Sequence, residues 1–152
     1  MTTTARLTAA LVALAVGIVP AAALAVTAAR AAGAPAWLEL PFRLVCHGID
    51  SRSLVVAGIV MPICARCFAL YVGGLAGIAA FVAVRPRRPL ARAWLLVALA
   101  PMAIDGITQA AGLRESSNAL RVITGALAGG VAILWLLSRI EAGSRQQARD
   151  GA

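Results

Sequence analysis

Four long apolar stretches, separated by shorter polar ones, set the pattern of the chain. The first runs from about Leu7 to Ala29 without a charge. The second runs from about Ile63 to Val84, the third from Trp94 to Leu113 and the fourth from Ala119 to Leu137. At a rise of ~1.5 Å per residue, each can cross a hydrocarbon core of ~30 Å as a helix. The pattern predicts an all-α integral membrane protein, a small bundle of four transmembrane helices forming one domain over residues 1–152. Pro20, in the middle of the first stretch, predicts a kink there. That stretch also suits a secretory signal, since Arg6 precedes it and small residues occupy Ala28–Ala32. Its uncharged run exceeds the usual signal core of about 7–15 residues, which favours a retained helix. Three mature helices after cleavage are the alternative.

The connections differ in character. Pro35, Pro41 and Pro62 bracket an irregular first outer loop, residues 31–62, with room for one short helix. Within it, Ser53–Met61 is apolar but too short to span. An interfacial piece, a re-entrant piece or a short strand would each accommodate it. The tail from Arg139 to Ala152 is polar and is expected to be flexible.

Composition supports the membrane reading. The chain is 61% hydrophobic and 13% charged, whereas soluble domains are about 45–50% apolar and ~25% charged. A soluble chain of 152 residues could not cover that much apolar surface. A disordered protein, a nucleic-acid module and a typical cytosolic enzyme are excluded. All 14 basic residues are arginine, and they outnumber 6 acidic residues to give a net charge of +8. In a soluble protein that excess would suggest nucleic acid as partner. Here the arginines flank apolar segments and set topology. Arg6, Arg85, Arg87, Arg88, Arg92, Arg139, Arg145 and Arg149 fall on one side of a four-span bundle. Arg30, Arg43, Arg52 and Arg114 fall on the other, with Glu39, Asp50 and Glu115 interspersed. The positive-inside rule then places both termini in the cytoplasm and the first and third loops outside the plasma membrane. Trp37, Trp94 and Trp135 lie near span ends, as interfacial aromatics do.

Small residues predict which helices touch. Gly73 and Gly77 sit four apart on the second helix, Gly125 and Gly129 on the fourth. Such pairs let backbones approach closely in lipid. The second and fourth helices are therefore expected to pack together.

The candidate chemistry lies in two places. Cys46-His47 occupies the first loop, and Cys64-Ala65-Arg66-Cys67 opens the second helix. These are all three cysteines and the single histidine. A CxxC pair at a helix start puts two sulfurs about one turn apart. With Cys46 and His47 the donors suffice for a Cys₃His site for zinc or another transition metal. Adjacent residues seldom both ligate one ion, so the alternative part for His47 is to orient a ligand by hydrogen bonding. A dithiol–disulfide or quinone-linked redox pair and inert buried thiols are the competing readings.

The third helix carries Asp105 and Gln109 on one face. A carboxylate inside a span costs several kcal/mol unless paired or hydrated, so Asp105 is a functional candidate, expected with Gln109 either to brace the metal-ligating residues or to do acid–base work. The third loop, Arg114-Glu115-Ser116-Ser117-Asn118, leads to Arg121 on the fourth helix. Four spans bring all of these groups to one membrane face, whatever the orientation. Arg66 shares a helical face with Gly73 and Gly77, and Arg121 with Gly125 and Gly129. Both therefore point inward, where either can pair with Asp105. Arg66, Arg114, Glu115, Asn118 and Arg121 form either a structural ion-pair network or a pocket for an anionic small molecule or lipid headgroup.

These residues carry a resemblance. Cys46-His47, Pro62 to Cys67 with Tyr71 and Gly73, Pro101, Asp105-Gly106, Gln109, Arg114 to Asn118, Arg121 and Thr124-Gly125 occur together and in order. Over roughly residues 44–130 the chain resembles the bacterial membrane proteins of domain-of-unknown-function family 2085. The resemblance implies a small multi-span membrane protein and brings no activity with it. Gly48 and Asp50 stand where members commonly carry Arg and Glu. The chain is thus read as a membrane protein with a Cys/His/Asp/Arg site at one face, metal-binding, with enzymatic activity left open. A redox protein is the first alternative, and an accessory subunit of a membrane complex or homo-oligomer the second. The bilayer is its expected partner and nucleic acid is not. No P-loop, dinucleotide-binding glycine pattern or catalytic triad accompanies these residues.

Overall fold

The structure is a computed structural model that describes residues 3–150. Four helices carry it: α1 (Thr3–Ala31), α2 (Ala65–Val84), α3 (Arg92–Ala110) and α4 (Asn118–Asp150). All four are long and apolar enough to cross a membrane. Many large apolar side chains on α1 and α3 face outward, among them Leu7, Leu11, Leu14, Ile18, Leu96, Val97, Ile104 and Ile107. In water such a surface would be a liability, whereas hydrocarbon is its natural solvent.

The bundle is not purely α. Between α1 and α2 lie two 3₁₀ helices, Ala36–Leu44 and Asp50–Arg52, and an antiparallel hairpin of β1 (Ser53–Val56) and β2 (Ile59–Cys64). The apolar segment too short to span is therefore a strand pair. Its turn is Ala57-Gly58, with φ of 51° and 77°. Positive φ at both central residues twists the turn to match the strands, which is why Gly suits the second position. Pairing runs Val55↔Val60 and Val56↔Ile59, with an irregularity between Ser53 and Val55.

Two other boundaries depart from expectation. Helix α2 starts at Ala65 because Cys64 caps it in an extended conformation. Helix α4 continues to Asp150, through the tail expected to be flexible. Pairs four residues apart sustain that extension: Glu141 with Arg145, and Gln146 with Asp150. Helix α1 runs through Pro20 without interruption.

Helices α2 and α4 form the most extensive contact between elements. Their backbones touch where the glycines lie. A Cβ at Gly73 would run into the Ala126 backbone, one at Gly77 into Gly130, and one at Gly129 into Leu70. The small-residue pairs thus do what their spacing predicts. Two apolar clusters close the bundle. Ala5, Ala9, Ile78, Phe81 and Leu137 fill one end. Ala23, Phe42, Cys46, Met61 and Ile63 fill the other, beneath the hairpin.

Candidate metal and anion site

The three cysteines reach one point from three elements. Cys46 follows the first 3₁₀ helix, its N–H bonded to the Phe42 carbonyl at 2.9 Å. Cys64 ends β2 and caps α2, and Cys67 lies in the first turn of α2. Their Sγ atoms all lie within 4.8 Å of one another, Cys46 buried and the other two half-buried. All three are free thiols. Backbone donors point at the sulfurs: Cys64 N–H at Cys46 Sγ (3.2 Å) and Cys67 N–H at Cys64 Sγ (3.4 Å). Hydrogen bonding from the Cys67 thiol, against partial burial, lowers the Cys64 thiol to about 5. A helix N-terminus favours a thiolate in the same way.

His47 stands apart from this group. It is exposed and lies on the wall of a cavity of about 280 Å³ that the three thiols share with Arg52, Arg66 and Arg121. Neighbouring residues in a turning backbone send their side chains in different directions, so the fourth-ligand expectation for His47 finds no support here.

Asp105 is the hub of the second half. It is buried, and its carboxylate accepts from Arg66 and Arg114 and from Ser116 Oγ at 2.9 Å. Arg114 also donates from Nε to Thr108 Oγ1 at 3.2 Å. Both carboxylate oxygens are engaged, which suits a structural clasp rather than the expected acid–base part. The clasp joins α2, α3 and the third loop. Of the two arginines expected to be able to pair with Asp105, Arg66 is the one that binds it, and Arg114 from the third loop is its second partner.

Arg121 instead donates to Asn118 Oδ1 at 2.6 Å. Asn118 in turn donates from Nδ2 to the Ser53 carbonyl at 3.0 Å, tying α4 to the hairpin. Gln109 and Glu115 lie on a second cavity, about 360 Å³, whose wall also includes Arg52, Arg114, Ser116 and Arg121. Arg52 and Arg121 thus border both cavities. Sequence reasoning did not single out Arg52 or Ser116 as site residues. Their only signal was position, beside the loop and helix-start motifs already noted.

Comparison with known proteins places the chain among predicted membrane proteins. The model of the family described as "Predicted membrane protein (DUF2085)" matches residues 46–135, which hold every site residue named above. An uncharacterised protein of Methanocaldococcus jannaschii is 43% identical over 99 residues, 63% of this chain and 64% of that protein. An uncharacterised protein of Methanothermobacter thermautotrophicus is 37% identical over 95 residues, 61% of this chain and 86% of that protein. Both relatives are archaeal, so the family is not restricted here to bacteria. No solved structure matches the chain.

Proposed function

The chain belongs to the DUF2085 family of predicted membrane proteins, and from that premise we propose that it holds a transition-metal ion, zinc foremost, on Cys46, Cys64 and Cys67 at one face of the plasma membrane. The observation that carries this reading is the meeting of three sulfurs within 4.8 Å. Tetrahedral zinc with Zn–S of ~2.3 Å separates its sulfurs by about 3.8 Å, so small side-chain rotations close the site. Backbone N–H groups aimed at two of the sulfurs stabilise thiolates, the form that binds metal. Three protein ligands leave a fourth position, and the thiol cavity gives a small molecule access to it. When bound, the ion supplies a Lewis-acidic centre. Around it, Arg52, Arg66 and Arg121 supply positive charge, and the Asp105 clasp keeps the start of α2 in place.

The arginine distribution supports a topology with both termini cytoplasmic and this face outside. Metal analysis of protein purified in detergent without chelator tests the reading. The expected result is about one equivalent of metal, falling below ~0.2 in Cys64→Ser. Wild-type protein holding less than ~0.2 equivalents of any transition metal removes it.

A second reading follows from the placement of Cys64 and Cys67, one turn apart at a helix start. They would cycle between dithiol and disulfide with a membrane redox partner. Differential alkylation in intact cells separates the two, since a redox pair shows a reversible oxidised fraction and a metal site does not.

A further inference from the structure

The second cavity contains a charge pattern that the thiols do not explain. Its wall joins three parts of the chain: Arg52 from the 3₁₀ turn, Gln109 and Arg114 from the end of α3 and the third loop, and Arg121 from the first turn of α4. Asp105 is already engaged by Arg66, Arg114 and Ser116. No carboxylate pairs with Arg52 or Arg121 among the described residues. The one carboxylate on the cavity wall is Glu115, which is exposed.

Arg121 is the anomaly. It is only 5% exposed, and its buried Nε has no hydrogen-bond partner. It occupies the first turn of a helix, the end where the backbone dipole is positive and cations are disfavoured. The like charges of Arg52 and Arg66 lie within electrostatic reach of it, and with burial they outweigh the attraction of Asp105 and Cys64. A buried guanidinium in such a place is costly unless an anion meets it. Asn118 satisfies one of its nitrogens with a neutral amide oxygen, which supplies no charge.

We propose that this cavity binds a phosphate group, held by Arg52, Arg114 and Arg121 with Gln109 as a neutral donor. Three guanidinium groups approaching from separate elements suit an oxyanion with three or more free oxygens better than a planar carboxylate, which one Arg fork saturates. The cavity of about 360 Å³ is large enough for a phosphate and part of whatever bears it. Its place at the ends of α3 and α4 puts it at headgroup depth, so the phosphate belongs either to a free anion or to a phospholipid. The proposal does not depend on whether the thiols hold a metal.

The test uses the full chain in an uncharged detergent, with chloride holding ionic strength constant. Inorganic phosphate is titrated by calorimetry in one arm. In the other, native mass spectrometry of protein released from nanodiscs compares phosphatidic acid with phosphatidylcholine. The expected result is one saturable phosphate or one retained phosphatidic acid per chain, weakened about tenfold or more in Arg121→Gln and in Arg52→Gln. Binding in the first arm alone assigns a free anion, and in the second alone a lipid headgroup. Arg52 is half-buried, so its variant stays informative if Arg121→Gln fails to fold. Absence of saturable binding in both arms overturns the proposal, as does full-strength binding by folded Arg52→Gln. Metal content measured on the same samples keeps the two readings apart. Phosphate binding by metal-free protein upholds this site while removing the metal, and metal without phosphate does the reverse.

Discussion

The seam between α2 and α4 and the polar mouth above it hold α2 against its neighbours by opposite means. Along the seam, Gly73, Gly77 and Gly129 remove side chains so that backbone meets backbone. At the mouth, Asp105, Arg66, Arg114 and Ser116 add side chains that reach across from other elements. Lipid offers no hydrophobic drive for helix association, so close packing and buried polar contacts must supply it. The difference teaches that the two are separable. The seam fixes how near α2 and α4 lie, while the clasp fixes how α3 and the third loop meet the start of α2.

Breaking the seam is expected to have the largest effect. Gly129→Leu drives a side chain into the Leu70 carbonyl, a backbone group that cannot step aside. A loss of at least about 3 kcal/mol, read as a collapse of thermal stability in detergent, is expected. Gly143→Ala on the same helix is its control, because nothing lies within 4 Å of that position. Equal damage from both would show that helix composition rather than close approach holds the seam. Next comes Asp105→Asn, which leaves two guanidinium groups without their charge partner at a buried site. A loss of about 3 kcal/mol is expected, with the seam still intact by cross-linking of α2 to α4. A wild-type unfolding temperature in this variant would reduce the clasp to decoration. The smallest effect belongs to Glu39→Gln. It removes the partly exposed pair with Arg30 at 2.8 Å, and a change under about 0.5 kcal/mol is expected. A larger drop in unfolding temperature would mean that the first loop, and not the clasp alone, secures this end.

How much of this was legible depended on the range of the physics involved. Uncharged runs marked the four helices because crossing hydrocarbon is a requirement on length and composition alone. Glycines four apart marked the seam because helical periodicity is local. Convergence of the cysteines with Asp105 followed from counting spans. The choice of Arg114 over Arg121 as partner of Asp105 was not legible, since it depends on how α4 is rotated and how the third loop returns. The same holds for His47, whose exclusion from the thiols is set by the path of a few irregular residues. The hairpin was ambiguous because a short apolar run carries no decisive period. The tail of α4 read as flexible because its polarity outweighed the spaced pairs, Glu141 with Arg145 above all, that keep it helical.

That tail changes what α4 is. Its 33 residues amount to about 50 Å of rod, against ~30 Å of hydrocarbon. One end carries Arg121 between the two cavities, and the other carries Arg145 and Arg149 beside the α2–α3 loop, around Arg85 and Arg87. The two poles of the bundle are thus parts of a single mast. With its middle gripped at Gly129 and Gly130, a tilt imposed at one pole must be answered at the other.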